Sequence, residues 1–292
     1  MFELTKVGKN TYYIANYTNI GVYRNPDNSV YLIDTGLDDT VAEKILEIIG
    51  EQGWRVKAII NTHSNADHIG GNHYIQQKTG CPVFAYGMEA PFTRYPIIDP
   101  SFIYGGYPCR ALRDKFFLAK GTQTTEFSDP SFPKEMGVIP MPGHYFDMVG
   151  ITTPDDVVFA ADSLCSQKTL ERFGITFIYN VAAYLDTLKK LESMEAAMFV
   201  PAHEEPHESL RELSILNQKK VLEIADVIKT KCETPQSFED VLQTIFERYQ
   251  LKMNFQKYVL IGSTVRSFLA WLKDLDELDV VFEDNRMSWK RI

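Results

Sequence analysis

The feature that most constrains this chain of 292 residues is a set of histidines and aspartates that follow apolar, strand-like runs. The runs AIINT, VIPMPG, VVFAA and MFVPA lead in turn to these side chains: His63, Asp67 and His68, then His144, Asp162 and His203. Four of the six histidines lie at such positions. Because neighbouring strands can end at one edge of a sheet, we expect these side chains to meet in one cleft.

Imidazole and carboxylate groups are ligands for divalent metals, and a catalytic zinc site keeps one position open for water. A bound metal lowers the pKa of that water to roughly 7, so that hydroxide is available at neutral pH. No separate nucleophile is then needed, and the sequence has no Ser-His-Asp or Cys-His arrangement with a recognisable local signature. The pattern therefore predicts a metal-dependent hydrolase.

The segments THSNADHIGG, PGH, AADS and PAH occur in this order and resemble the metallo-β-lactamase superfamily, whose loop is normally HxHxDH. The resemblance covers roughly residues 1–205 and implies an α+β fold, the αββα sandwich, with a metal site at one sheet edge. It also implies two metal positions, which share Asp162: one held by His63, Asn65 and His144, the other by Asp67, His68 and His203. The DTG turn at Asp34–Gly36 matches the family as well, with a structural role implied.

Position 65 departs from the family pattern, because Asn65 replaces the second histidine of the loop. An amide oxygen is a weaker donor than imidazole. We therefore expect one firm metal site through Asp67, His68, Asp162 and His203, and a second, weaker site. Zinc is the metal expected for such ligands, although iron and manganese accept the same set.

Hydrophobic periodicity predicts the organisation of the chain. Strand-like runs open it, a helix capped by Asp38 or Asp39 follows, and a further helix ends at Gly80. Residues 89 to about 136 are rich in Pro, Gly and aromatics without a clean period, which predicts an irregular insertion or lid. Strands return before residue 205, whereas residues 206–292 predict three amphipathic helices and a hairpin, a winged-helix-like domain.

Composition restricts the partners. The net charge of -9 disfavours a nucleic-acid surface, and residues 206–292 carry 13 Lys plus Arg against 14 Asp plus Glu. The local cations Arg286, Lys290 and Arg291 leave a small basic patch on the hairpin. No apolar run is long enough to span a membrane, and the first residues do not resemble a secretory signal, so a cytoplasmic protein is expected. For the C-terminal domain we expect a role in packing, as a lid or in forming a homodimer.

The reaction that the resemblance implies is attack of a metal-activated hydroxide on a carbonyl of a small-molecule substrate. Asp67 would hold the metal and orient the water or accept its proton. Tyr107, Arg110 and Tyr145 are candidates for substrate contact, with a packing role as the alternative for each. A thioester, lactone or amide is the expected substrate, and analogy of fold favours a glyoxalase-II-like enzyme.

Two alternatives belong to other classes. The first is a β-lactamase-like nuclease that cleaves RNA or another phosphodiester, with the C-terminal domain as a docking arm. The second is a metal-binding or ligand-binding protein with little turnover, as a consequence of Asn65.

Overall fold

The computed structural model describes residues 2–292 and divides them into two compact units. The first unit holds two β-sheets and five helices, and it comprises residues 2–142, 146–163 and 194–210. The second unit is mainly helical and comprises Gly143–Tyr145, Leu164–Ser193 and Arg211–Ile292.

The strands of the first unit form a seven-stranded and a four-stranded sheet. The seven-stranded sheet has its strands in chain order: β1 (Leu4–Lys6), β2 (Thr11–Ile14), β3 (Ile20–Arg24), β4 (Ser29–Ile33), β5 (Arg55–Ile60), β6 (Val83–Ala85) and β7 (Thr125–Glu126). The four-stranded sheet consists of β8 (Gly137–Pro140), β9 (Val149–Thr152), β10 (Val157–Ala161) and β11 (Met198–Pro201), in the order β11-β10-β9-β8. The strands predicted from alternating and continuous apolar runs are confirmed.

Two pairs of parallel strands matter most for function. Strands β4 and β5 are parallel, as are β10 and β11, whereas β1 to β4 pair antiparallel. Parallel neighbours end at the same sheet edge, so the residues that follow each pair leave the sheet side by side.

The helices of the first unit are α1 (Asp39–Glu51), α2 (Ala66–Ile69), α3 (Asn72–Thr79), α4 (Glu89–Arg94) and α5 (Ile98–Tyr104). The predicted cap of α1 is confirmed, because the Asp38 carboxylate accepts the backbone N–H groups of Thr40 and Val41, each at 3.1 Å. Helix α3 ends at Gly80, which has a φ of 70° as a left-handed C-terminal residue.

Two apolar cores stabilise the first unit. One contains inward-facing residues of both sheets: Tyr13, Tyr31, Ile33, Ile60, Phe84, Val149, Ile151, Phe159 and Val200. The other joins the seven-stranded sheet to helices α1 and α3: Val22, Leu32, Ile45, Ile49, Ile59 and Ile75. The seven-stranded sheet is thus apolar on both faces, one against the four-stranded sheet and the other against helices α1 and α3.

The insertion at residues 89 to about 136 is more regular than predicted. It contains helices α4 and α5, and its strand β7 pairs with β6 to extend the seven-stranded sheet. The prediction of an irregular segment was wrong in this respect. Helices of six and seven residues complete fewer than two turns, so they leave no repeat that a periodicity search can detect.

The second unit contains helices α6 (Gln167–Phe173), α7 (Val181–Ser193), α8 (Arg211–Lys231), α9 (Phe238–Arg248) and α10 (Phe255–Asp274), then the hairpin β12 (Leu278–Glu283) and β13 (Arg286–Arg291). The three helices and the hairpin predicted after residue 206 are present, and the likeness to a winged helix stays a prediction. None of the helices in residues 2–292 is long and apolar enough to cross a membrane.

The second unit begins earlier in the chain than the predicted division at residue 206. Asn217 on α8 supplies several of the contacts that join residues 164–193 to it. Its side chain accepts the Cys165 N–H at 3.0 Å, donates to the Cys165 carbonyl at 2.8 Å and accepts the Tyr184 hydroxyl at 3.3 Å. One buried amide therefore ties the start of this segment and helix α7 to α8.

The close packing of the two sheets at Gly21 in β3 can be tested by substitution. A Cβ at this position would lie 2.7 Å from the Phe159 ring and 2.9 Å from the Cβ of Ile33. Gly21→Ala is therefore expected to lower the free energy of unfolding by about 1–3 kcal/mol through overpacking. In the control Gly50→Ala the new Cβ meets nothing within 4 Å, so that variant gains about 0.5–1 kcal/mol of stability. Urea denaturation measures both, and equal effects of the two substitutions would contradict this account.

Candidate metal centre

The site is built where the two parallel strand pairs end. Ile33 lies opposite Ile60 in the β4–β5 pair, so Asp34 emerges beside Asn61 and Thr62, which lead into His63. Ala161 lies opposite Pro201 in the β10–β11 pair, so Asp162 emerges beside Ala202 and His203. The strand register thus places His63 after one parallel pair, and Asp162 and His203 after the other.

The loop after β5 folds into the short helix α2, which presents Asp67 and His68. The Asn65 carbonyl accepts the backbone N–H groups of His68 at 2.9 Å and Ile69 at 3.2 Å. Two glycines let this loop pack on the turn after β4. A Cβ at Gly70 would lie 1.9 Å from the Leu37 carbonyl oxygen, and a Cβ at Gly71 would lie 2.5 Å from that of Thr35.

Four side chains of the first unit converge at the sheet edge: Asp67, His68, Asp162 and His203. The His68 Nε2 atom lies 3.2 Å from Asp162 Oδ1 and 3.9 Å from Asp67 Oδ2. The His203 Nε2 atom lies 3.3 Å from Asp162 Oδ2 and 3.4 Å from Asp67 Oδ2. The ligand atoms of Asp67, His68 and His203 all lie within 4.8 Å of one another.

Both imidazoles are held by their outer nitrogens. His68 Nδ1 donates to Asp34 Oδ2 at 2.7 Å, and His203 Nδ1 donates to the Tyr17 carbonyl oxygen at 2.7 Å. A hydrogen bond at Nδ1 fixes the tautomer that carries its lone pair on Nε2. Both Nε2 atoms therefore point toward the carboxylates as potential metal donors.

Asp34 organises the loop as well as His68. Its carboxylate accepts the Thr62 N–H at 2.8 Å and the Thr62 hydroxyl at 2.6 Å, and the Thr62 oxygen lies 3.1 Å from His63 Nδ1. Asp34 has a φ of 62°, a left-handed conformation that costs a non-glycine residue about 1–2 kcal/mol. The structural role implied for the DTG turn extends to orienting the histidines.

The carboxylates give the cluster an electrostatic preference for positive charge. Burial alone would lower the pKa of His203, but Asp162 and Asp67 outweigh it and raise that pKa to about 9. Burial likewise opposes charge on His68, yet Asp162, Asp34 and Asp67 raise its pKa well above its usual value. Burial would raise the pKa of Asp162, whereas the two histidines hold it well below its usual range.

These features fit a divalent metal. His68 Nε2 is buried and lies 3.2 Å from Asp162 Oδ1, so an imidazole donor atom and a carboxylate oxygen face each other in the core. Two Nε2 donors and two carboxylates in a field that stabilises cations are a suitable ligand set for zinc, iron or manganese. A metal would replace the protons that the histidines otherwise attract.

The remaining ligand candidates are placed as follows. His63 is fully buried, and its ring centroid lies 4.0 Å from that of His68. Asn65 precedes α2 at the N-cap position. His144 belongs to the second unit, where its Nδ1 donates to the Phe177 carbonyl oxygen at 3.0 Å. The assignment of His63, Asn65 and His144 to one metal stays a prediction.

The candidates for substrate contact differ in exposure. Tyr107 is 75% exposed and accepts a hydrogen bond from Arg113 at 3.1 Å, and Arg110 beside it is also exposed. Tyr145 is fully buried and packs against Phe177 in the second unit, which favours a packing role for its ring. His73, on α3, donates to the Gly121 carbonyl oxygen at 3.0 Å and so anchors the insertion.

Two polar residues beside the site were missed by sequence reasoning. The Thr18 hydroxyl donates to Asp67 Oδ2 at 2.9 Å from the loop between β2 and β3. Glu89 is fully buried at the start of α4. It is hydrogen-bonded to Ser64 within the loop of residues 62–72, called the metal loop below. No motif marks either residue, because each acts through a contact between segments distant in sequence.

Two packed sheets with histidines and aspartates gathered at one edge define a metal-binding protein of the α+β class. Residues 13–203 match the family model of the metallo-beta-lactamase superfamily. The chain therefore belongs to the metallo-β-lactamase superfamily, and the predicted family is confirmed.

Curated relatives share part of the chain. A hydroxyacylglutathione hydrolase of Rhodospirillum rubrum is 28% identical over 182 residues, which are 60% of each chain. A hydroxyacylglutathione hydrolase of Methylococcus capsulatus is 30% identical over 146 residues, 47% of this chain and 48% of the relative. The chain thus spans less than two thirds of the length of these relatives.

Solved structures establish the fold. A beta-lactamase domain protein from Burkholderia ambifaria has a TM-score of 0.74 at 14% identity, covering 99% of this chain and 95% of that one. A metallo-beta-lactamase family protein from Thermus thermophilus has a TM-score of 0.70 at 16% identity, with 94% of each chain covered. The metallo-β-lactamase fold predicted from the motifs is confirmed.

The role of Asp34 as the orienting partner of His68 predicts the effect of Asp34→Asn. An amide must direct its NH₂ group at a donor, so contacts to Thr62 or His68 are lost and the affinity for zinc falls about 10–100-fold. Asp27→Asn is the control, because Asp27 accepts two hydrogen bonds from Ser29 at the opposite end of β4. Competition with a chromogenic chelator measures both affinities. Unchanged affinity in Asp34→Asn would refute this role.

Burial of Glu89 predicts a pH dependence of stability. Burial raises the pKa of Glu89 to about 7 against hydrogen bonds from Ser64 and Asp147 that lower it. The folded state therefore binds this proton more tightly than the unfolded state. The resulting stabilisation of about 3 kcal/mol is complete below about pH 4.5 and is lost as the pH rises through about 7.

Glu89→Gln removes this titration. Urea denaturation of chelator-treated protein at pH 4.5 and pH 8 measures the difference in unfolding free energy between the wild type and the variant. We expect that difference to fall by about 3 kcal/mol from the lower to the higher pH. Parallel pH dependences of the two proteins would contradict the burial argument.

Proposed function

We propose that this protein is a metal-dependent hydrolase that cleaves a small thioester. The observation that carries the proposal is the convergence of His68 and His203, through Nε2 atoms fixed by outer hydrogen bonds, on the carboxylates of Asp67 and Asp162. The names of the curated relatives support the substrate class, since a hydroxyacylglutathione is a thioester.

Asp67, His68, Asp162 and His203 would hold the firm metal. His63, Asn65 and His144 would serve a second, weaker site, in which the amide of Asn65 replaces an imidazole. Zinc is the proposed metal, with iron and manganese as alternatives. When bound, the metal lowers the pKa of water and polarises the substrate carbonyl.

Asp67 is the residue proposed to handle the proton. Its Oδ2 atom accepts the Thr18 hydroxyl at 2.9 Å, so the carboxylate is held in one orientation at the cleft. A carboxylate in this position orients the attacking water and accepts its proton. Asp34 holds the imidazole of His68, and the Tyr17 carbonyl holds that of His203. The ligand side chains therefore need little rearrangement during the reaction.

The substrate is proposed to be small and unrelated to nucleic acid. The net charge of -9 opposes a polyanion, whereas a compact acyl thioester places no such demand on the surface. Tyr107 and Arg110 are exposed on the insertion and are proposed to contact it. Lactones and amides are further carbonyl substrates within the same chemistry.

A substrate panel tests the proposal. Chromogenic thioester, lactone, amide and phosphodiester substrates are assayed with zinc, manganese or iron added in turn to chelator-treated protein. We expect metal-dependent turnover with the thioester in first place. Preference for the phosphodiester would instead favour the nuclease, and no turnover with any metal would favour the binding protein.

Asp67→Asn tests whether the Asp67 carboxylate takes part in turnover. We expect kcat for the best substrate to fall roughly 100-fold or more, because an amide accepts no proton. Asp129→Asn is the control, since Asp129 is exposed on the insertion and its carboxylate accepts hydrogen bonds from the backbone and hydroxyl of Ser131, remote from the metal cluster in sequence. Equal kcat values of Asp67→Asn and wild type would remove Asp67 from the mechanism.

A further inference from the structure

Glu89 is the most unusual ionisable group outside the metal cluster. It is fully buried, although Glu is almost never fully buried unless it is paired. None of the ion pairs described in residues 2–292 includes it, and its partners are two backbone N–H groups and one hydroxyl. Such a group is costly to retain in a core, so its contacts call for an explanation.

The contacts of Glu89 join two segments beside the metal cluster. Oε2 accepts the Ser64 N–H at 3.0 Å and the Ser64 hydroxyl at 2.5 Å, and Oε1 accepts the Asp147 N–H at 2.8 Å. Ser64 lies between His63 and Asn65 in the metal loop. Glu89 thus bridges this loop to the segment that leads into β9.

The segment at Asp147 is itself fixed to both neighbours. Asp147 Oδ2 accepts the Met88 N–H at 2.8 Å, which returns a hydrogen bond to the start of α4. The Val149 N–H donates to the Thr62 carbonyl oxygen at 2.9 Å, which adds a second link to the metal loop. Phe92 on α4 packs against Phe146 with ring centroids 5.0 Å apart, so the helix that carries Glu89 is also anchored.

We propose that Glu89 is a positioning residue of the metal centre, holding the backbone at Ser64 so that the flanking side chains of His63 and Asn65 face the second, weaker metal position. It contacts no ligand side chain directly, and it acts through the amide and hydroxyl of Ser64. This gives the insertion a role in the site, because its first helix, α4, carries the Glu89 side chain that holds the metal loop at Ser64. The proposal rests on the metal chemistry of the proposed function.

A carboxylate is the group that this position requires. Three donors approach its two oxygens, and each oxygen of a carboxylate accepts hydrogen bonds. A glutamine offers one oxygen and one NH₂ group, so it meets at least one donor with another donor. Glu89→Gln therefore keeps the size of the side chain but breaks the bridge at Ser64 or at Asp147.

The affinity of chelator-treated protein for zinc tests the proposal. We expect Glu89→Gln to weaken binding of the second zinc ion, at the position proposed for His63, Asn65 and His144, about 10–100-fold at pH 8, as loss of an orienting contact around a metal does, while the first zinc ion keeps wild-type affinity. Asp155→Asn is the matched control: Asp155 Oδ2 also accepts one backbone N–H and one hydroxyl, from Asn10 and Thr11, but it precedes β10 at the end remote from Asp162. This control is expected to keep wild-type affinity even where it lowers the melting temperature.

Ser64→Ala provides a milder variant should Glu89→Gln fail to fold. It removes only the hydroxyl donor, and we expect a smaller loss of zinc affinity. Where both variants fold, their losses in the double variant are expected to be less than additive, because they disrupt one contact. A lower melting temperature with zinc affinity within twofold of wild type in both would reduce Glu89 to a purely structural residue and overturn the proposal.

The readout separates this proposal from the proposed function. Zinc affinity is measured without substrate, so a protein that binds zinc but hydrolyses no thioester still tests Glu89. Conversely, thioester turnover with unchanged zinc affinity in the Glu89 and Ser64 variants keeps the hydrolase and removes the positioning role.

Discussion

The carboxylate of Asp34 is the interaction on which the metal centre depends. Asp34 follows β4 in a left-handed conformation, and its carboxylate accepts hydrogen bonds from the backbone and hydroxyl of Thr62, just after β5, and from the Nδ1–H of His68 on α2. One side chain thus joins two parallel strands to a histidine. A conformation that costs energy at a single residue is stable here because three hydrogen bonds converge on it.

The fold and the convergence of four candidate ligands at one sheet edge were largely predictable, for a physical reason. Strands buried on one or both faces carry apolar patterns that survive in the sequence, and parallel pairing brings their ends together. The positions of Asp67, His68, Asp162 and His203 after apolar strands follow from that logic, whereas their assignment to one metal comes from the family resemblance and stays a prediction. The helices α4 and α5 were not predictable, because six or seven residues contain too little repeat. The earlier start of the helical unit depends on tertiary contacts, among them those of the buried Asn217 side chain.

Supporting residues are harder to foresee than ligands. Thr18 reaches Asp67 across 49 positions, and Glu89 reaches Ser64 across 25. Nothing in the local sequence of either residue distinguishes it from an ordinary polar residue on a loop or a helix. Their roles depend on tertiary contacts, which single-sequence reasoning does not supply. The departure at Asn65 illustrates the opposite case: its carbonyl supports α2 whatever the side chain is, so the substitution leaves Asp67 and His68 in place.

The packing of Gly70 and Gly71 on the carbonyls of Leu37 and Thr35 has a consequence for protein engineering. The metal loop cannot be transferred to another protein by itself, because it packs against a turn some thirty positions earlier in the chain. Residues 62–72 grafted onto another scaffold would lack the backbone of this turn, on which they pack. The smallest unit worth transplanting is the parallel pair β4–β5 together with both of its outgoing turns.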